Sequence, residues 1–218
     1  MSTTDIAQQA LREPLQTDWN AYGNQSKYQR PPVPTKEGKA VVYYGVAEKV
    51  EEKVNQYEVD SEGNPFLNFE LDPIKMTDGY IIRFARASTR PFMRNGEPIA
   101  GNPNQLAKYL KAAGVSAKPQ TNDEYRRAVA ATKGKRVGFT IDWEARNRDT
   151  GETVRGYDSF PDDPDNPGQK KAILKAGDVV TVRDRFGNIT ETRTITSEVL
   201  FANAKVRNFV AATPTAAK

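Results

Sequence analysis

Three stretches between residues 40 and 88 combine β-branched and aromatic residues with interspersed polar ones. They read AVVYYGVAEKV, FLNFELDPIKM and YIIRFARAS, and turn residues at 62–65 and 77–79 separate them. Alternation at period 2 places successive side chains on opposite faces of a strand. The first part of the core is therefore predicted to be three successive strands.

The middle of the chain changes to a helical period. The run NQLAKYLKAAG places apolar residues at i, i+3 and i+4 and ends at Gly114, a residue that stops helices. A second helix is predicted over 121–132, because Thr121 followed three residues later by Glu124 forms a capping box.

Strands resume after residue 135. KRVGFTIDWEARNR alternates apolar and polar residues, and the turn at 148–151 predicts a hairpin with ETVRGYDSF. A second hairpin is predicted around RFGN, and VLFANAKVRNFVA is the last predicted strand. This order predicts a mainly β fold with inserted helices, an antiparallel barrel of the OB (oligonucleotide- and oligosaccharide-binding) type.

The pattern also predicts three parts of the chain. Residues 1–36 are a flexible N-terminal arm, residues 37–210 are the OB-like core, and residues 211–218 are a flexible C-terminal tail. The arm ends in a proline-rich linker, and its aromatic residues are Trp19, Tyr22 and Tyr28. Docking on protein is favoured for these aromatic residues over docking on nucleic acid, so self-association through the arm is one prediction.

The residue types that are missing from the composition exclude several classes of function. There is no cysteine and no histidine, which removes thiolate chemistry, histidine-based catalysis and most zinc sites. We expect no enzyme activity, no cofactor and no metal. The acidic loop 158–165 is expected to be solvated, since an EF-hand beginning at Asp163 would need a glutamate where Leu174 stands.

Neither a membrane span nor a secretory signal is evident in the sequence. No apolar run approaches the roughly 20 residues that cross a bilayer. The N-terminus also lacks the basic-then-apolar pattern of a signal peptide. The predicted location is the cytoplasm.

Charge is distributed unevenly along the chain. The net charge is +4, but residues 80–155 hold 15 Lys or Arg against 7 Asp or Glu, and residues 37–79 hold 10 acids against 4 bases. Basic groups attract phosphates, and aromatic faces stack on unpaired bases. Single-stranded nucleic acid is therefore the predicted partner.

Two groups of residues are predicted to form the binding site. The first follows the third strand and comprises Arg83, Phe84, Arg86, Arg90, Phe92 and Arg94. Four arginines with no nearby acid in the sequence favour a groove for an anion, and the alternative is a half-buried strand with a solvated charged face.

The second group surrounds the predicted hairpin turn. It comprises Arg136, Trp143, Arg146, Arg148, Arg155 and Tyr157. Arginines would contact phosphates and the aromatic rings would stack on bases. Trp143 shares a strand face with Val137, Phe139 and Ile141, so a place in the core is favoured for it over a place in the site.

Four segments of the chain resemble the single-stranded DNA-binding proteins of tailed bacteriophages. They are GYIIRFARAS, NQLAKYLKAAGV, KGKRVGFTIDWEARNRDTGE and FANAKVRNFV. The resemblance covers most of residues 39–209 and implies an OB fold, protection of single-stranded DNA in replication or recombination, and no catalysis. A phage protein of this kind would work in the host cytoplasm. The chain departs from bacterial single-strand binders in ending ATPTAAK, without an acidic tip.

Two other functions are compatible with the sequence. A phage structural or assembly protein would use the aromatic arm for subunit contacts. A nuclease with a metal held by carboxylates is disfavoured, because the acids lack a catalytic spacing.

Overall fold

Every strand that the structure describes pairs with its neighbours in antiparallel orientation. The computed structural model describes residues 28–53, 59, 63, 65–94, 97–98, 104–183 and 188–211. It divides the chain into two units, residues 1–30 and 31–218, and all the elements below belong to the second. Trp19 and Tyr22 of the predicted arm, and nearly all of the predicted tail, lie outside the described residues.

The three predicted strands form an antiparallel meander in which each strand is interrupted once. The short strands of this half are β1 (Thr35–Lys36), β2 (Lys39–Ala40), β3 (Tyr43–Ala47), β4 (Val50–Lys53), β5 (Asn68–Leu71), β6 (Ile74–Met76), β7 (Ile81–Ile82), β8 (Ala85–Ser88), β9 (Met93–Arg94) and β10 (Glu97–Pro98). We call β3–β4 the first segment, β5–β6 the second and β7–β8 the third. The first segment pairs with the second, and the second pairs with the third.

Both predicted helices are present and are capped by their own side chains. Helix α1 spans Gln105–Ala112, and the Asn104 side chain accepts a hydrogen bond from the Ala107 N–H at 2.8 Å. Helix α2 spans Asn122–Ala130 and begins with the predicted capping box of Thr121 and Glu124. Local sequence is sufficient for these caps, because the bonded residues are three positions apart.

The second half of the unit contains two long strands and an insertion between them. The elements are β11 (Arg136–Arg146), β12 (Thr153–Arg155), a 3-10 turn (Tyr157–Ser159), β13 (Ile173–Lys175), β14 (Val179–Arg183), β15 (Ile189–Thr194) and β16 (Val199–Val210). Strand β11 lies between β16 on one side and β3 and β12 on the other. Because β11 also pairs with β3, the first segment joins the two halves of the unit.

The mainly β, antiparallel fold is confirmed, but a closed barrel is not observed. Within the described residues no strand pairing joins the third segment to β16. One side chain links the two edges: Tyr80, just before β7, is buried, and its hydroxyl accepts a hydrogen bond from the Ala204 backbone N–H of β16 at 3.2 Å. Helix α1 packs against β16, β8 and β11, so its buried Leu106, Tyr109 and Leu110 belong to the same core as the strands.

Within the insertion between β11 and β16, one carboxylate joins the turn after β11 to the residues just before β16. Glu152 accepts hydrogen bonds from the N–H groups of Thr196 and Ser197, at 3.1 and 2.9 Å. Desolvation acts to raise the pKa of Glu152, but the hydrogen bonds from Ser197 and Thr196 outweigh it and hold the pKa below its ordinary value. The contribution of these bonds to stability is therefore present at neutral pH and is lost as the pH falls through the lowered pKa.

Residues 31–36 lie with the core, although the predicted boundary between arm and core is residue 36. Pro31 and Pro34 are buried. The Pro32 carbonyl accepts a hydrogen bond from the Trp143 indole N–H at 2.8 Å, and the Val33 carbonyl accepts one from the Tyr43 hydroxyl at 2.7 Å. The segment is thus a strap across the core and not only a linker.

Deleting residues 1–36 is expected to lower the free energy of unfolding by about 2–4 kcal/mol. The deletion removes two buried prolines and leaves the buried Trp143 indole N–H without its acceptor, which costs about 1–3 kcal/mol by itself. Chemical denaturation of the two truncated forms measures the effect. Deletion of residues 1–30 is the matched control, since it leaves the strap in place. Equal stability of the two truncated forms would show that the strap contributes nothing.

No helix among the described residues combines the length and the apolar character needed to cross a membrane.

Candidate nucleic-acid interface

The bend between β7 and β8 presents an exposed aromatic side chain between basic residues. Phe84 is 49% exposed, with Arg83 before it and Arg86 two residues after it, both also exposed. Its backbone has a φ of +56°, in the left-handed region that bulky residues rarely adopt. We call residues 83–86 the Phe84 bend.

Acidic residues of the second segment lie beside this bend. The Arg83 Nη1 is 3.9 Å from the Asp72 Oδ1, and Arg86 is the direct cross-strand partner of Glu70. Arg83 and Arg86 therefore have acids beside them in the fold, although none is near them in the sequence. The first and second segments bring acids from the negative stretch of the sequence next to the positive one, which local charge counts do not reveal.

A groove of about 280 Å³ adjoins the bend and is lined by both signs of charge. Its lining residues are Lys49, Glu51, Lys53, Glu70, Asp72, Pro73 and Arg83. The Lys53 Nζ lies 3.2 Å from the Glu51 carboxylate and 3.5 Å from that of Glu70. The hydrogen bond to Glu51 and the charge of Glu70 raise the pKa of Lys53, so this lysine stays charged over the physiological range.

The remaining residues of the first predicted group are less clearly placed in a site. Phe92 is half-buried, and the Lys108 Nζ of helix α1 lies 4.5 Å from its ring centroid, a cation–π contact. Arg90 is exposed, and its backbone N–H donates to the Ser88 Oγ at 3.1 Å. The side chain of Arg94 lies outside the described residues.

Three of the predicted arginines lie on the β11–β12 hairpin. Arg146 ends β11, Arg148 lies in the turn, and Arg155 ends β12. All three are exposed, and the Arg155 Nε donates to the Glu144 Oε2 at 3.1 Å. The hairpin therefore presents three exposed arginines among several acids, of which Asp149 in the turn is also exposed.

Arg136 does not belong to this hairpin group. It begins β11 while Arg146 ends it, and ten residues of extended strand separate them by about 33 Å. The Arg136 guanidinium stacks over the Tyr44 ring, with its Cζ 4.6 Å from the ring centroid. The Tyr44 ring in turn lies over Gly138, where an added Cβ would come within 3.2 Å of it. Packing on Tyr44 thus accounts for the position of Arg136.

Trp143 is a core residue, and its assignment as a stacking residue is corrected. The side chain is 1% exposed, and Tyr157 and Phe160 pack edge-to-face on its ring at 4.8 and 5.5 Å between centroids. A base needs an open ring face, which Trp143 does not have. The alternation of β11 favoured this burial in the sequence.

Tyr157 is half-buried beside Trp143 and is held at three points. Its ring packs on Trp143, its hydroxyl accepts from the Lys170 N–H at 3.3 Å, and its own N–H donates to the Asp142 Oδ1 at 2.8 Å. These contacts account for its position, and stacking of its ring on a base remains a prediction.

One exposed aromatic residue near the hairpin was missed in the sequence. Phe201 is 42% exposed on β16. The ladder between β11 and β16 ends with the pair Ala145–Ala202, so Phe201 lies one residue beyond it, at the end of β11 that carries Arg146. The sequence pattern does indicate its exposure. Phe201 alternates with the apolar residues Leu200, Ala202 and Ala204, which are buried, so its side chain lies on the outer face of β16.

The acidic loop 158–165 is held by hydrogen bonds between its own side chains and backbone and those of the residues that follow it. Asp163 is almost fully buried, and its carboxylate accepts from the Asp165 N–H at 3.1 Å and the Asn166 amide at 3.0 Å. Asp162 pairs with Lys170 at 2.8 Å. In the part of the chain that the structure describes, no cluster of three or more metal-binding side chains occurs.

A scan of this sequence against protein-family models gives no match, and a search of curated proteins gives none either.

Proposed function

We propose that this chain is a sequence-tolerant single-stranded DNA-binding protein with an OB-type core. The observation that carries the proposal is the Phe84 bend, where an exposed ring stands between two exposed arginines on the third segment. A ring with an open face can stack on any base, and the flanking cations can bind the adjoining phosphates. Such a site reads no sequence, because every base has a π-face.

The strand connectivity supports the OB part of the proposal. The first segment pairs with the second and with β11, the second pairs with the third, and β11 pairs with β16. Helix α1 lies between the third segment and β11 in the chain, where the OB fold has its helix. OB folds are five-stranded barrels that are often partly open, which agrees with the gap between the third segment and β16.

The location of the basic residues agrees with the same fold. OB folds bind oligonucleotides on the face of strands 2 and 3 and with the loops between strands 1 and 2 and between strands 4 and 5. The Phe84 bend belongs to the third strand of this scheme, and the β11–β12 hairpin belongs to the connection between the fourth and fifth. Arg146, Arg148 and Arg155 would then bind phosphates, with Phe201 as an additional ring. The role itself, coating single strands during phage DNA replication or recombination without catalysis, follows the resemblance in sequence.

Tighter binding to single-stranded than to duplex oligonucleotides of equal length is the expected result. Fluorescence anisotropy at two salt concentrations measures it, with labelled poly(dT), a mixed-sequence DNA strand, the matching RNA strand and the duplex. The affinity should fall as salt rises, by roughly 0.7 in logarithmic slope for each phosphate neutralised. The two DNA strands should bind within a few-fold of each other.

Phe84→Ala is the variant that locates the site in the same assay. It should weaken single-strand binding by about 1–3 kcal/mol, the usual contribution of one stacked base. Ile81→Ala, which removes another exposed apolar side chain nearby, is the matched control. Duplex preferred over single strands, or an affinity that salt does not change, would disprove the function. Single-strand binding that is unaffected by Phe84→Ala would instead place the site elsewhere.

A further inference from the structure

Phe84 occupies an unfavourable backbone conformation that its own surroundings must stabilise. A bulky residue with φ near +56° lies in a sparsely populated region, where it persists only if neighbouring groups hold it there. Burial of the side chain does not compensate for the strain of the backbone, since 49% of Phe84 is exposed. Glycine or asparagine would adopt the same backbone at lower cost. An exposed phenylalanine at a strained position is thus poorly explained by folding alone.

One carboxylate contacts the backbone of this strained residue. The Asp72 Oδ1 accepts a hydrogen bond from the Phe84 N–H at 3.2 Å, across twelve residues of sequence. The same oxygen lies 3.9 Å from the Arg83 guanidinium. Asp72 is itself partly shielded, with 24% of its side chain exposed. Its acceptor oxygen therefore bridges the second segment to the bend and holds residue 84 in place.

We propose that Asp72 is a positioning residue, whose carboxylate oxygen fixes the Phe84 ring in the orientation that stacks on an unpaired base. The inference rests on the proposed function, because it assigns Phe84 a base as its ligand. Asp72 would not touch the nucleic acid. It would act through the Phe84 N–H, whereas its charge competes with phosphate for the neighbouring Arg83.

This role predicts different effects on single-strand affinity for two substitutions that remove the same charge. A carboxylate beside a site for a polyanion repels it, so loss of the charge alone strengthens binding. Asp72→Asn keeps an oxygen that can accept from the Phe84 N–H, and it releases Arg83 for phosphate. Asp72→Ala removes the acceptor as well. Positioning thus predicts unchanged or tighter binding for Asp72→Asn and weaker binding for Asp72→Ala.

The experiment measures single-strand affinity and melting temperature for the wild type, Asp72→Asn, Asp72→Ala, Phe84→Ala and the double variant Asp72→Ala/Phe84→Ala. Asp72→Ala is expected to bind about tenfold more weakly than the wild type, close to the loss of one stacked base. In the Phe84→Ala background the same substitution should cause no further loss, because there is no ring to position. Binding that changes alike in Asp72→Asn and Asp72→Ala would overturn the proposal.

Stability supplies a second measurement that needs no nucleic acid. Any loss of melting temperature caused by Asp72→Ala should be recovered in Asp72→Ala/Phe84→Gly, because glycine adopts the positive φ without the hydrogen bond. If Asp72→Ala alone does not fold, this double variant is expected to fold, and its failure would overturn the positioning role. A wild type that binds no single strands would overturn the proposed function itself, whatever the two substitutions at position 72 do to stability.

Discussion

Trp143→Ala is expected to lower the free energy of unfolding by about 3–5 kcal/mol, the usual range for truncating a buried aromatic residue. The ring is 1% exposed and is enclosed by Tyr157, Phe160 and the strap that carries Pro32. Its removal leaves a large cavity, and the Pro32 carbonyl loses its hydrogen-bond donor. Denaturant unfolding monitored by circular dichroism measures the change.

The control for this prediction is Phe201→Ala, which truncates an aromatic residue that is 42% exposed on the same sheet. It should change stability by less than about 1 kcal/mol, since little of the side chain is buried. Binding of Trp143→Ala should be lost only to the extent that the protein unfolds. A stable Trp143→Ala variant with impaired binding would contradict the core assignment and restore Trp143 to the interface.

Replacing Arg146, Arg148 and Arg155 together with alanine is expected to reduce the logarithmic salt slope of single-strand binding by about 2. Each phosphate contact on a single strand contributes roughly 0.7 to that slope, and three contacts would be lost. All three side chains are exposed, so the fold should be retained. Affinity measured over a series of salt concentrations gives the slope directly.

A triple variant of Lys118, Arg127 and Lys133 is the matched control for the hairpin. These three residues are also exposed, lie on or around helix α2, and carry the same total charge. If the cations act only through the net charge of the protein, both triple variants should change the slope alike, and the hairpin would have no special role. A larger change for the hairpin variant locates phosphate contacts there.

Elements that depend on neighbours in sequence were predicted well. The capping box of helix α2 joins residues three positions apart, and the β11–β12 hairpin follows from a turn of four residues. Burial was also predictable where alternation is regular, as in β11, where Val137, Phe139, Ile141 and Trp143 all face the core. In these cases the free energy that selects the conformation comes from contacts that the local pattern itself specifies.

The sequence did not predict which acid would pair with each basic residue. Arg126 of helix α2 donates to both carboxylate oxygens of Glu52 on β4, at 2.8 and 3.0 Å, although 74 residues separate them in the chain. The hydrogen bond from Arg126 lowers the pKa of Glu52 despite some desolvation. Summing charges along the chain counted Arg126 toward a basic surface, whereas the fold uses it to join a helix to a strand.

The sequence by itself therefore determined the helices, the hairpins, and which face of each long strand is apolar, because periodicity and turn chemistry act within a few residues. Only the tertiary structure decided which strands pair outside the hairpins, that Pro32 accepts from Trp143 at a separation of 111 residues, and that Asp72 accepts from the backbone N–H of Phe84. Those contacts depend on long-range register, which local patterns do not encode. The residues of the proposed interface are visible in the sequence, but the acid that positions its central ring appears only when the second and third segments are paired.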